Sequence, residues 1–164
     1  MLKNKFGWIG FGLTSLILMS FYIAVNIKDN NKHGETMVVT GAFELQLSPQ
    51  TEDEINVGRM LISKTYRGGL DGSGQGQMLS KRTEIEGSAG YVAIEVFNGS
   101  IQEKHGSFTL LHTGIMNRGT SSLEVNVVPD SGTGELEGIS GTMQINQSEG
   151  KHSYEFEYTL NEEK

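Results

Sequence analysis

His152-Ser153-Tyr154-Glu155-Phe156-Glu157-Tyr158-Thr159-Leu160 alternates apolar and polar side chains with a period of two. Tyr154, Phe156, Tyr158 and Leu160 share one face, and Glu155 and Glu157 share the other. One buried face and one wet face is the pattern of an antiparallel strand. The same period runs back through the chain from Met37. Val39, Phe43, Leu45 and Leu47 form one face of a first strand, and Met60, Ile62 and Tyr66 one face of a second, over about Asn56 to Tyr66. The third, about Leu70 to Lys81, carries Gly72, Gly74 and Gly76 on a single face, which marks a bend or a close backbone approach, as at barrel corners. The fourth is Gly90 to Asn98, where Asn98-Gly99 reads as a hairpin turn. A fifth follows from Gly106 to about Arg118 and a sixth from Ser122 to Val128, stopped by Pro129, which cannot donate to a ladder. Asp130 to Gly138 is turn chemistry, with Asp130 capping a turn through its side chain. Ile139 to Gln147 and His152 to Leu160 complete eight strands. No segment after Ile27 has a sustained helical period with caps. The expected fold is all-β, a closed eight-stranded antiparallel barrel, because an open sheet of strands this long would expose two edges.

Composition limits the function. The 164 residues include 22 Gly, 2 Pro and no Cys, with a formal charge of −7. Glycine is about twice its ordinary usage of roughly 7%. The absence of Cys excludes a disulfide scaffold, a thiolate metal site and a thiol nucleophile. The acidic balance argues against nucleic acid, whose phosphates call for clustered Lys and Arg.

Phe6 to Ile27 holds no charge over 22 residues. As a helix it spans about 33 Å, enough for a hydrocarbon core of about 30 Å. Lys3 and Lys5 precede it, favouring a cytoplasmic N-terminus and an exported remainder. The expected layout is a short cytoplasmic N-terminus (1–5), a transmembrane anchor or uncleaved signal (6–27), a polar linker (28–36), the barrel (37–160) and a tail (161–164). Cleavage and secretion is the alternative. Either way the barrel is expected outside the cytoplasm, in the periplasm or beyond. Residues 35–164 hold 9 basic and 19 acidic side chains, so an anionic bilayer would repel the domain and the N-terminal segment must provide the attachment.

Four ordered motifs carry a likeness: Gly90-Tyr91-Val92-Ala93-Ile94-Glu95; His112 with Gly114 and Met116; Val128-Pro129-Asp130-Ser131-Gly132-Thr133-Gly134-Glu135-Leu136; and His152-Ser153-Tyr154 with Phe156 and Tyr158. In them, and over about Met37 to Leu160, the chain resembles the DUF3224 family, small bacterial proteins of unassigned function. That resemblance implies an eight-stranded barrel similar to allene oxide cyclase and dirigent proteins. The typical family member is a free-standing domain beginning near Thr40, whereas this chain adds a hydrophobic N-terminal segment. The family carries no established activity, so the likeness leaves function open.

Few residues offer chemistry. Glu95 is a lone carboxylate in the apolar run Tyr91-Val92-Ala93-Ile94-Glu95-Val96-Phe97. If Tyr91, Ala93 and Phe97 face inward, Glu95 joins them, and desolvation would raise its pKa toward general acid–base use. If Val92, Ile94 and Val96 face inward, Glu95 is solvated; the strand alone does not decide. His112 interrupts an equally apolar fifth strand and is the second catalytic candidate, a partner for Glu95 if the two strands are adjacent. Tyr91, His152, Tyr154, Phe156 and Tyr158 are the ligand-binding candidates, rings for contact area and polar tips for orientation. Arg59 and Arg118 are read as surface ion pairs. The four His show no metal-binding spacing, the glycines make no phosphate loop, and no nucleophile elbow occurs, so no metal or cofactor is expected.

The fourth and fifth strands are apolar on both faces, which calls for cover on the outside of the barrel, by a homo-oligomer or the membrane-proximal segment. Three functions fit. The expected one is a membrane-anchored binding module holding a small apolar or amphipathic molecule in its lumen. The alternatives are a cyclase or isomerase using Glu95 and His112, and a structural envelope protein with a filled barrel.

Overall fold

Nine strands follow one another along the chain: β1 (Met37–Gln50), β2 (Gly58–Gly68), β3 (Leu70–Arg82), β4 (Ala89–Ile101), β5 (Lys104–Asn117), β6 (Thr120–Val127), the two-residue β7 (Thr133–Gly134), β8 (Ile139–Ser148) and β9 (Lys151–Leu160). The computed structural model describes residues 34–51 and 55–161. The expected membrane segment, most of the linker and the last three residues lie outside them.

Each long strand pairs antiparallel with its neighbours in the order β1-β2-β3-β4-β5-β6-β8-β9, and β9 returns to β1. The sheet therefore closes into an eight-stranded barrel, and β7 adds a short bridge to the start of β5. Among the described residues there is no helix. Closure leaves no long edge exposed, the reason for expecting a barrel from strands of this length.

Three hairpins turn through two residues with positive φ at both: Gln102-Glu103, Arg118-Gly119 and Glu149-Gly150. Positive φ at both turn positions matches the right-handed twist of the flanking strands. The hairpin expected at Asn98-Gly99 is not there. β4 continues through both residues to Ile101, and the turn comes at Gln102-Glu103. Gly99 instead sits at a close approach, where an added Cβ would strike the backbone of Asp71 and Gly72 on β3.

The lumen holds the core. Tyr66, Phe97, Phe108, Tyr154, Phe156 and Tyr158 pack ring against ring, with Phe108 stacked on Phe156 at 5.5 Å and Phe156 on Tyr158 at 5.3 Å. Leu70, Ile101, Leu136 and Ile139 are buried with them. That end of the barrel is filled by side chains.

Candidate functional site

The other end differs. β1 pairs with β9 only as far as Phe43, opposite His152, but continues with β2 to Gln50. Leu45 and Leu47 keep the lumen parity of Val39 and Phe43, yet are 36% and 42% exposed. Leu123 on β6 is 39% exposed on the lumen side, and Met60, Met78, Tyr91, Ile145 and His152 are half-buried there. Half-exposed apolar side chains thus ring an open end.

Beneath them lies a charged layer. Apart from tyrosine, the three buried polar or charged residues among those described are Lys64, Glu95 and His112, and the carboxylate of Glu95 joins them. Lys64 Nζ donates to Glu95 Oε2 at 2.6 Å, and the Tyr66 hydroxyl donates to Oε1 at 2.7 Å. Lys64 also donates to the Tyr66 hydroxyl at 3.2 Å, and its ammonium lies 4.6 Å from the centre of the Phe43 ring, a cation–π distance. His112 Nε2 is 2.9 Å from Glu95 Oε2. No directed hydrogen bond joins the two atoms, and Nε2 has no other hydrogen-bond partner among the described residues. His152 stacks on the opposite partner of this layer, the Phe43 ring, at 5.0 Å.

Register explains the meeting. Leu47, Ile62, Gly76, Glu95, Leu110 and Val127 are successive partners across β1 to β6. One row nearer the opening run Met60, Met78, Ala93, His112 and Val125. Lys64 lies one lumen-facing step from Ile62 on β2, and His112 one step from Leu110 on β5, so Glu95 reaches both diagonally. The step between β2 and β4 crosses β3, whose glycines keep that wall bare. A Cβ on Gly74 would collide with Glu95 Oε1 and press on the Tyr66 ring. On β5, a Cβ on Gly114 would collide with the Tyr91 ring, which lies flat over that glycine beside the opening.

The parity left open for Glu95 is therefore settled by the fold: Tyr91, Ala93, Glu95 and Phe97 face inward, and Val92, Ile94 and Val96 face solvent. The direction of its pKa differs from the expectation. Burial alone would raise it, but contact with His112 and the Lys64 charge outweigh burial and bring it from 4.5 down to about 2. A carboxylate held ionised so firmly is a weak base. Burial, reinforced by the adjacent Glu95 charge, pushes the Tyr66 hydroxyl far up, so it stays a neutral donor.

The other candidates are dispersed. Tyr154 is built into the filled end, its hydroxyl accepting from the Leu70 backbone N–H at 2.7 Å. Phe156 and Tyr158 stack there too, the Tyr158 hydroxyl 3.5 Å from Gln102 Oε1. Tyr91 and His152 belong to the open end. Arg118 lies in a hairpin turn. Sequence reasoning missed Lys64 and Tyr66 as site residues. The signal was present: Ile62-Ser63-Lys64-Thr65-Tyr66 puts a lysine on the apolar face of an alternating strand, where a cation needs a buried counter-charge. Among the described residues no group of three or more His, Cys, Asp or Glu could hold a metal.

The DUF3224 family model, described as proteins of unknown function, matches residues 37–158. The chain belongs to the DUF3224 family. It is similar to a solved DUF3224 protein of unknown function from Shewanella oneidensis MR-1, at 43% identity and a TM-score of 0.75, over 79% of this chain and 100% of that one. No curated protein matches it. DUF3224 membership accounts for β1 through most of β9, the whole pairing circuit that brings Lys64, Glu95 and His112 together.

Proposed function

We propose that this DUF3224 barrel is a binding module that takes one small amphipathic molecule at its open end. The apolar part lies against Leu45, Leu47, Met60, Met78 and Leu123, and the polar head reaches the layer of Lys64, Glu95 and His112. The observation that supports this reading is the stacking of two unlike layers: half-exposed apolar side chains on the lumen side, directly over a buried charged cluster. A buried ion pair is commonly no more stabilising than apolar side chains of the same volume. Clusters of buried ionisable groups beneath a concave apolar surface are typical of ligand sites. Methionines at the opening supply adaptable contact area. His112 Nε2, buried without a directed hydrogen bond, is the donor left for a ligand head.

A cyclase or isomerase in which Glu95 moves protons is the weaker reading, since Glu95 is held ionised by two neighbours. We further propose that residues 6–27 attach the barrel to a membrane from outside the cytoplasm; the absence of any charged side chain over these 22 residues supports this.

Native mass spectrometry of the protein purified from its own source tests the binding reading. A small molecule released on unfolding is expected, and Met78→Glu should abolish it by placing a charge in the apolar ring. A protein of bare chain mass, unchanged after incubation with decanoate or decanol, would overturn the reading.

A further inference from the structure

The outside of β3, β4 and β5 is as unusual as the inside. Leu79, Val92, Ile94, Val96, Leu111 and Ile115 all point outward and are between 38% and 57% exposed. They occupy neighbouring rows: Leu79 pairs with Val92, Ile94 with Leu111, and Lys81 with Gly90 and then Ile115. The remaining outward positions in the central rows are Gln75, Gln77, Thr109 and Thr113. No ionisable side chain lies in the rows of Val92, Ile94 and Val96 on these strands; Lys81 stands at the edge of the patch, its Nζ donating to the Asn56 backbone carbonyl at 2.8 Å.

Carboxylates stand on the outer surface of β1, β6 and β9. Glu44 faces out on β1, Glu124 on β6, and Glu155 and Glu157 on β9. In an acidic domain, two copies repel wherever such surfaces meet. The apolar centre of the β3–β5 face, which holds no carboxylate, is where they approach without that cost. Apolar area of this extent, rimmed by polar groups, marks an interaction surface. Its relief also fits. A depression of about 390 Å³ lined by Val57, Leu79, Lys81, Val92 and Ile115 lies two residues along β4 from the exposed Ile94, so one face offers both a hollow and an apolar side chain to a two-fold contact between identical surfaces.

We propose that the occupant is a second copy of this chain, docked face to face across the outer surface of β3–β5 to form a homodimer whose two open ends stay free. A charged partner finds only Lys81, at the edge, as counter-charge here, and a copy of the same face supplies matching apolar area. The proposal does not rest on ligand binding, since the apolar side chains of the patch point away from the lumen.

The solved Shewanella oneidensis MR-1 chain is matched over its whole length, so the barrel folds as a unit and the chain from Lys32 onward is suitable for the test. Light scattering on a sizing column, over a dilution series, is expected to give twice the chain mass for the wild type. Ile94→Glu and Ile94→Lys, each folded by circular dichroism, are expected to run as monomers, and an equimolar mixture of the two to recover the dimer. A wild-type monomer at every concentration would overturn the proposal, as would an Ile94→Glu protein as dimeric as the wild type. A monomer that floats with phosphatidylcholine vesicles would also overturn it, assigning the face to a bilayer.

Discussion

Lys64 Nζ and Glu95 Oε2 stand 2.6 Å apart on two strands that do not pair with each other, joined across the bare glycine wall of β3. Removing one member strands the other. Glu95→Gln leaves the Lys64 ammonium buried without a counter-charge and should cost about 3 kcal/mol of stability. Lys64→Met combined with Glu95→Gln should recover most of that loss, because no unpaired charge remains. Urea unfolding of the wild type, the single variant and the double variant checks this; a single variant within about 1 kcal/mol of wild type would contradict a tightly coupled buried pair.

The same pair sets an acid limit. The folded-state pKa of Glu95 is depressed from 4.5 to about 2, so the stability it contributes is complete above the unfolded value and is lost as pH falls through that window. On the order of 3 kcal/mol is at stake. Wild type and Glu95→Gln should differ most at pH 6 to 7 and converge toward pH 2. Unfolding free energies measured at intervals across that range test the sign; a gap that widens on acidification would contradict it.

Gly74 is where the barrel makes room for the carboxylate. Gly74→Ala drives a methyl into Glu95 Oε1 and against the Tyr66 ring, both fixed by their hydrogen bonds. A loss of about 1–3 kcal/mol is expected, typical of overpacking. Gly90→Ala, where the nearest atom is 4.0 Å away, is the control and should be close to neutral. Thermal melts of the two variants side by side decide the matter, and equal melting temperatures would contradict the close approach.

Tyr154 and Tyr158 look alike in sequence but do different work. The Tyr154 hydroxyl satisfies the buried Leu70 N–H at 2.7 Å, and the Tyr158 hydroxyl reaches Gln102 only at 3.5 Å. Tyr154→Phe should cost about 1–3 kcal/mol by orphaning a buried donor, and Tyr158→Phe less than about 1 kcal/mol. Denaturant midpoints compare them directly; the reverse order would contradict these roles.

Much of the barrel was legible because its strands are long and alternate cleanly. His152–Leu160 declares its buried face with Tyr154, Phe156 and Tyr158, and Gly72, Gly74 and Gly76 announce a wall without side chains. The turns were less legible: Asn98-Gly99 carries strong turn chemistry, but register holds both residues in the ladder and turns the chain through Gln102-Glu103. Glu95 was ambiguous because its strand is apolar on both sides, and only pairing with β3 and β5 fixes which side is the lumen. Its depressed pKa depends on Lys64, 31 residues away in sequence, which no local pattern connects to it. Long-range register, absent from any single strand, makes the site.

The central claim is that the open end accepts a small amphipathic molecule over the charged layer. Methionine-methyl NMR tests it within one spectrum, because Met60 and Met78 line that opening while Met143 is buried in the core. Titration with decanoate, and separately decanol, into the barrel is predicted to move the Met60 and Met78 signals saturably and leave Met143 in place. Spectra unchanged by either probe would contradict the claim.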